Sequence, residues 1–374
     1  ASVGGVLANL AVALAGKTAV NLNYTAGAEW MESVLGQCGI RTVLTSRKML
    51  EKFPLPGEAG IVFLDDWMQQ TPRRRFLAAA LAVLAFPSRV LARRLGTLDA
   101  DPASGDTVAI VFTSGSTGEP KGAMLTHYNI LSNVEAISQI YDITPADGIM
   151  GILPFFHSFG YTGTLWLPLL HGFGALYHPN PLDTKRIGQL AFEERATILV
   201  ATPTFCQAFI RGCPPETFTT IRYGFTGAEK LPGAVAQAFH EKFGVELLEG
   251  YGCTETSPVI ALSRPDFRQG PVFQPGRKPG SVGHPLPGVS TQVIDPETGE
   301  TLPAGQEGLL LVKGPNRMRG YLGRPDLTAE AFRGGWYITG DIARVDEDGF
   351  VFITDRLSRF SKIGGEMVPH VKVE

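Results

Sequence analysis

Residues 113–122 read TSGSTGEPKG, a stretch of hydroxyls, glycines and one lysine. Gly115 and Gly118 would let the backbone approach phosphate oxygens, with their N–H groups turned inward as a nest. Thr113, Ser114, Ser116 and Thr117 add hydroxyl donors, and Lys121 adds a point charge. The stretch is not a Walker A sequence, which requires Gly-Lys-Ser/Thr; here Lys121 follows Pro120 and precedes Gly122. A flexible surface turn is the bland reading, and ten residues in this order after the strand-like DTVAIVFTS argue against it. Downstream, EGYGCTETSP at 249–258 supplies Thr254, which can hydrogen-bond an α-phosphate, and Glu255, a hard oxygen ligand suited to Mg²⁺. An isolated YGxTE would by default be a solvated loop carboxylate; beside a glycine loop the metal role is favoured. Tyr251 offers an aromatic face for adenine. Asp341, in the sequence TGD, is an acceptor suited to two ribose hydroxyls, and Arg356 can donate to the same ribose. A site that handles phosphate anions must neutralise charge and hold its reactants in line.

These residues need elements that place them. TAVNLNY and RTVLTS are short β-rich runs with the helical EWMESVLGQCG between them. After residue 107 the alternation returns: DTVAIVFTS, IMGILP, ATILVATP and VELLEGYG as strands, LTHYNILSNVEAISQIY and LPGAVAQAFHEKFG as helices. Strand–helix alternation implies parallel sheets flanked by helices. Residues 264–281 are rich in Pro, Gly and charge and break that rhythm as a linker. VSTQVIDPETG, EGLLLVKGP and GWYITGDIARVDEDGFVFITD then read as β-structure punctuated by turns. The expected fold class is α/β: two parallel-sheet α/β subdomains at 1–106 and 107–263, and a small distorted β-barrel subdomain at 282–354.

Composition narrows the function. The chain has 374 residues, 44% hydrophobic, with a formal net charge of −3, so no basic field argues for a nucleic-acid partner. The four cysteines show no paired spacing and fit free thiols in a reducing, cytoplasmic setting. The apolar opening ASVGGVLANLAVALAG lacks a basic flank and reads as a buried helix rather than a signal peptide. No run reaches the roughly 18 apolar residues that would span a bilayer. Residues 73–95, RRRFLAAALAVLAFPSRVLARRL, stand apart: an apolar run with arginines at both ends, interrupted by Pro87. A partly buried helix with solvated ends is one reading; an interfacial helix with arginines on lipid phosphates, giving peripheral membrane contact, is the other.

In order, TSGSTGEPKG, PFFHSFG (154–160), GFTGAEKLP (224–232), EGYGCTETSP, GWYITGDIA (335–343) and DRLSRFSKIGGEMV (355–368) resemble the conserved blocks of the adenylate-forming superfamily of acyl-CoA synthetases, luciferases and peptide-synthetase adenylation domains. Within it, RFSKIGGEMV and FFHSFG look most like the fatty acyl–acyl carrier protein synthetase module of 2-acylglycerophosphoethanolamine acyltransferases. The resemblance implies the large N-terminal lobe of such an enzyme, with ATP and Mg²⁺ and with CoA or a phosphopantetheine thiol as acceptor. It puts Gly227, Ala228 and Glu229 along adenine, adds Glu249 and Gly252 to the nucleotide site, and makes His157 a gate between an acyl tunnel and ATP. His157 is not needed as a base, because a carboxylate nucleophile is already ionised at neutral pH. Phe159, Tyr161, Gly163, Phe205 and Thr226 would wall the acid pocket. With no acidic partner for an ammonium in PFFHSFG, a fatty acid is the expected substrate.

Ser358 stands at the hinge position, and Lys362, Gly364 and Gly365 match the turn that approaches the thioester-forming site; residues 355–374 would be the hinge and the start of a further lobe. The family's C-terminal lobe, with its bridging lysine, has no counterpart before the chain stops at VPHVKVE, and the match begins partway into the first subdomain, so slow adenylation is expected of this polypeptide. Two other readings stand beside this one: an aryl- or short-chain-acid ligase, and a non-catalytic nucleotide- or acyl-adenylate-binding module.

Overall fold

The computed structural model describes residues 1–374 except 58, 95–104, 115–118, 358–359, 364–365 and 370–374; for 68, 114, 360–363 and 366–369 it describes the backbone alone. The largest sheet has seven strands in the order His284–Pro285, Val259–Leu262, Leu247–Gly252, Tyr223–Thr226, Ile198–Ala201, Gly148–Gly151 and Gly174–Tyr177. The five from Leu247–Gly252 to Gly174–Tyr177 run parallel, and the two at the other edge pair antiparallel. Ile198–Ala201 is buried throughout, as a parallel strand covered on both faces must be. One face packs on helices Thr184–Glu193, Pro203–Gly212 and Gly233–Phe243 through Ile187, Phe209, Phe218 and Phe239. The other face packs on helix His127–Ser138 through Ile130, Val134 and Ile137.

The sequence reading starts a helix at Leu125, and the structure places Leu125 and Thr126 in a strand instead. Pro120–Thr126 is a strand paired antiparallel with Thr107–Ser114, Thr113 opposite Lys121. The glycine loop therefore closes a hairpin, strand to strand. The helix begins at His127, and Thr126 caps it: its Oγ1 accepts from the Asn129 N–H at 3.1 Å, and Asn129 Oδ1 accepts from the Thr126 N–H at 2.9 Å. Gly320–Tyr321 adds a third strand to this sheet. Of TAVNLNY, Ala19 alone bridges to the sheet, parallel to Ala109.

A five-stranded antiparallel sheet follows. Trp336–Val345 is its long central strand, flanked by Gly308–Lys313 on one side and by Phe332–Arg333 and Val351–Arg356 on the other, with Ser290–Ile294 at the edge. Register shifts at Leu309/Leu311 and Ile342/Ala343 curl it into a half-barrel. Its inner face, through Val293, Leu310, Val312 and Ala343, packs on Ile260 and Ala261. That contact brings the Asp341 strand beside the Tyr251 strand. Residues 264–281 hold a small exposed hairpin, Phe267–Gln269 with Val272–Gln274. Residues 73–94 form two helices, Arg73–Ala85 and Ser88–Arg94, divided at Pro87, and no residue of either is buried. Among the described residues no helix is long and apolar enough to cross a membrane.

Candidate active site

A cavity of about 590 Å³ opens against the seven-stranded sheet, lined by its strands and the segments that follow them. One end is lined by Ala228, Tyr251, Gly252 and Thr254, and its depth by Leu153, Leu167, Val200, Phe205 and Phe225. His157, Phe159, Gly163, Thr226, Gly227 and Glu229 also line it.

At the first end, the strand Leu247–Gly252 runs into a turn carrying Thr254 and Glu255. Gly252 has no room for a side chain, since a Cβ there would meet the Pro258 carbonyl oxygen at 1.9 Å. Thr254 Oγ1 lies 3.3 Å from Ser158 Oγ, a contact that fixes its hydroxyl at the cavity. Ser158 adjoins His157 but has no distinguishing spacing, and sequence reasoning passed over it. Glu255 is buried, 8% exposed, and its Oε1 accepts from the Tyr321 hydroxyl at 2.7 Å. Lys121 Nζ stands 5.9 Å from the centroid of the same Tyr321 ring, and Lys121 makes no ion pair with another described residue. Gly115, Ser116, Thr117 and Gly118 lie outside the described residues, as does the side chain of Ser114; the hairpin strands place Thr113 and Lys121 at the loop's two ends.

The strand Trp336–Val345 brings Asp341 to the same end. Tyr251 donates its hydroxyl to Asp341 Oδ2 at 2.5 Å, and Arg356, opposite Asp341 across the strand pair, reaches Oδ1 at 3.6 Å. Burial pushes the Asp341 carboxyl above the usual carboxylate range against the pull of Tyr251 and Arg356. Burial, with the Asp341 charge behind it, holds the Tyr251 phenol well above its ordinary range, so it remains a donor. Ala228 has a left-handed backbone, φ +69°, uncommon for a residue with a Cβ and held by its surroundings. Glu249 turns beneath this loop, where its Oε1 accepts from the Leu231 N–H at 3.0 Å. Glu229 accepts from Thr204 Oγ1 at 2.6 Å.

Along the acid pocket, burial lowers the pKa of His157, so the ring is neutral at neutral pH. Its ring lies 4.6 Å from that of Phe156. Tyr161, expected on the wall, is instead fully buried in the core, edge-on to Trp166, and Thr162 takes a wall position. The reason is a π-helical turn over Tyr161–Trp166, whose wider winding changes which residue faces the cavity. Ser358, Gly364 and Gly365 lie outside the described residues, and Lys362 is described by backbone alone, paired with Met367 in a hairpin.

For Mg²⁺, the donor chemistry fits a site completed by ligand oxygens: one buried carboxylate beside an unpaired lysine, and no cluster of three His, Cys, Asp or Glu among the described residues. Mg²⁺ is ordinarily held in this way, by one or two carboxylates and substrate phosphates.

A family model for AMP-binding enzymes matches residues 2–322, and the chain belongs to that family. A long-chain-fatty-acid–CoA ligase of Bacillus subtilis is 35% identical over 275 residues, 72% of this chain and 47% of the relative. A feruloyl-CoA synthase of an Amycolatopsis species is 33% identical over 313 residues, 81% of this chain and 61% of the relative. ATP-bound MatB from Rhodopseudomonas palustris superposes with a TM-score of 0.80 at 29% identity, over 99% of this chain and 69% of that one. O-succinylbenzoate coenzyme A synthetase from Bacillus subtilis, in complex with ATP and magnesium, shares the fold, with a TM-score of 0.78 at 24% identity over 99% of this chain and 70% of that one. The fold is that of the N-terminal lobe of adenylate-forming enzymes, and the chain spans about half to three-fifths of the length of these curated relatives.

Proposed function

We propose that the protein takes part in ATP-dependent activation of a fatty acid. A carboxylate oxygen attacks the α-phosphorus, the bond to the β-phosphate breaks and pyrophosphate leaves; a thiol then takes the acyl group from AMP and gives up its proton. Lys121 and the glycine loop hold the departing phosphates, Thr254 donates to the α-phosphate, Asp341 and Arg356 take the ribose, and Tyr251 the base. Mg²⁺, when bound at Glu255, would neutralise triphosphate charge. The observation that carries the fatty-acid reading is the cavity's depth: Leu153, Leu167, Val200, Phe205 and Phe225 offer apolar wall continuous with the nucleotide end. The cavity's only carboxylate among the described lining residues, Glu229, is already engaged by Thr204.

One observation favours a second reading, an aryl acid bearing a hydroxyl. The Thr162 and Thr226 hydroxyls are buried on the cavity wall without a protein partner. ATP–pyrophosphate exchange by the full-length protein, across acids from acetate to stearate and hydroxycinnamates, separates the two. We expect exchange to rise with alkyl chain length; a maximum at hydroxycinnamate would sink the fatty-acid reading. CoA and holo acyl carrier protein, offered to the same protein, decide the acceptor.

We propose further that helices Arg73–Ala85 and Ser88–Arg94 lie on an anionic membrane surface. Leu77, Leu81, Val83 and Leu84 are each more than half exposed, between arginine groups with no acidic residue. Flotation with phosphatidylglycerol vesicles should be lost when Arg73, Arg74 and Arg75 become alanine; equal flotation of both proteins would exclude arginine-driven binding.

A further inference from the structure

Residues 316–322 form a strap between the two halves of the phosphate site. Asn316 Nδ2 donates to the Thr256 and Val259 carbonyls at 2.9 and 3.0 Å, and the Met318 N–H to the Glu255 carbonyl at 2.7 Å, so one end is tied to the metal turn. The Arg319 N–H donates to the Met124 carbonyl at 2.9 Å and the Leu322 N–H to the Gly122 carbonyl at 2.8 Å, tying the other end to the strand that carries Lys121. Between them Gly320 turns the chain at φ +148°, a conformation that favours glycine. Tyr321 follows, its N–H held by Thr328 Oγ1 at 2.9 Å.

We propose that Tyr321 is the positioning residue of the phosphate site, fixing Glu255 through its hydroxyl and Lys121 through its ring. The inference rests on the nucleotide reading above. The hydroxyl holds Glu255 Oε1 at 2.7 Å, and the ring face lies within cation–π range of the lysine at 5.9 Å. Glu255 is buried, and a buried carboxylate without a donor costs more than the bond itself returns. The one phenol thus sets both the anion meant for Mg²⁺ and the cation meant for phosphate, across 66 residues of sequence on one side.

Tyr321→Phe removes the hydroxyl and keeps the ring; Tyr321→Leu removes both. The wild-type protein and both variants are titrated calorimetrically with ATP at a series of Mg²⁺ concentrations, and with AMP. For Tyr321→Phe we expect the Mg²⁺ concentration giving half-maximal ATP affinity to rise roughly tenfold, the loss of a bond to a charged group, with AMP affinity unchanged within about twofold. Tyr321→Leu should also weaken ATP binding without Mg²⁺, through Lys121. Melting temperatures are recorded for all three, and intact AMP binding shows that each variant folds. A wild-type Mg²⁺ response in Tyr321→Phe, or equal losses for ATP and AMP, would overturn the role of Tyr321 alone. Absence of Mg²⁺-dependent ATP binding in the wild-type protein would overturn the nucleotide reading and this inference with it.

Discussion

Glu255→Gln is expected to lower ATP–Mg²⁺ affinity and adenylation by roughly a hundredfold or more, the scale on which a single preorganised electrostatic group acts, while the melting temperature stays at or above that of the wild type. Glutamine keeps the shape of the side chain and can still accept from the Tyr321 hydroxyl. It loses the charge that a hard cation needs. The stability expectation has the opposite sign because Glu255 is only 8% exposed and is paired with a neutral hydroxyl rather than a cation. A buried, uncompensated carboxylate costs free energy that its neutral isostere does not. Calorimetry with ATP–Mg²⁺ and a thermal melt decide both halves. A loss of affinity below threefold would remove Glu255 from the metal site, and a markedly lower melting temperature would mean the carboxylate holds the fold.

Asp341→Asn is the second large effect, distinguished from the first by its ligands. Ribose is common to ATP, AMP and acyl-adenylate, so all three should weaken together, by roughly thirtyfold, about one lost hydrogen bond to a charged acceptor. The acid limb follows from the raised pKa of Asp341. A carboxyl that protonates above the usual range stops accepting as pH falls through that raised value, so AMP affinity should decline in mild acid and the asparagine variant should show no such limb. The linkage to stability has the reverse sense. A folded pKa above the unfolded one contributes stability below the unfolded pKa, and that contribution is lost as pH rises through the folded one. The wild type should therefore lose stability relative to the variant as pH rises through that value. AMP affinity that is flat in pH, or equal in both proteins, would remove Asp341 from the ribose.

The sequence motifs and the fold differed in how much of this they revealed. Strands 148–151, 198–201 and 247–252 announce themselves as short apolar runs between helical periods, while 223–226 is not read as a strand. The strand 120–126 does not announce itself either, because AMLT is apolar without alternation and runs straight into an amphipathic helix. Its identity depends on pairing with 107–114, which no local pattern encodes. Tyr251, Thr254, Glu255 and Asp341 were legible because hydroxyl, carboxylate and glycine recur in a fixed order. Ser158 and Tyr321 were not: each acts by touching another site residue, one of them 96 positions away. Tyr161 was placed on the wall by the resemblance of its segment to a family pocket wall, a likeness that does not register the π-helical turn beginning at Tyr161.

The origin of the candidate nucleotide-site residues in three different sheets has a consequence for how the molecule comes apart. Lys121 belongs to one sheet, the Tyr251 strand to a second and Asp341 to a third. A nucleotide touching all of them is a crosslink whose contacts vanish when any one sheet detaches. Its binding energy is therefore added to each local opening as well as to global unfolding. Bound nucleotide should turn separately fraying layers into one cooperative unit, visible as slowed amide exchange in strands far from the ligand.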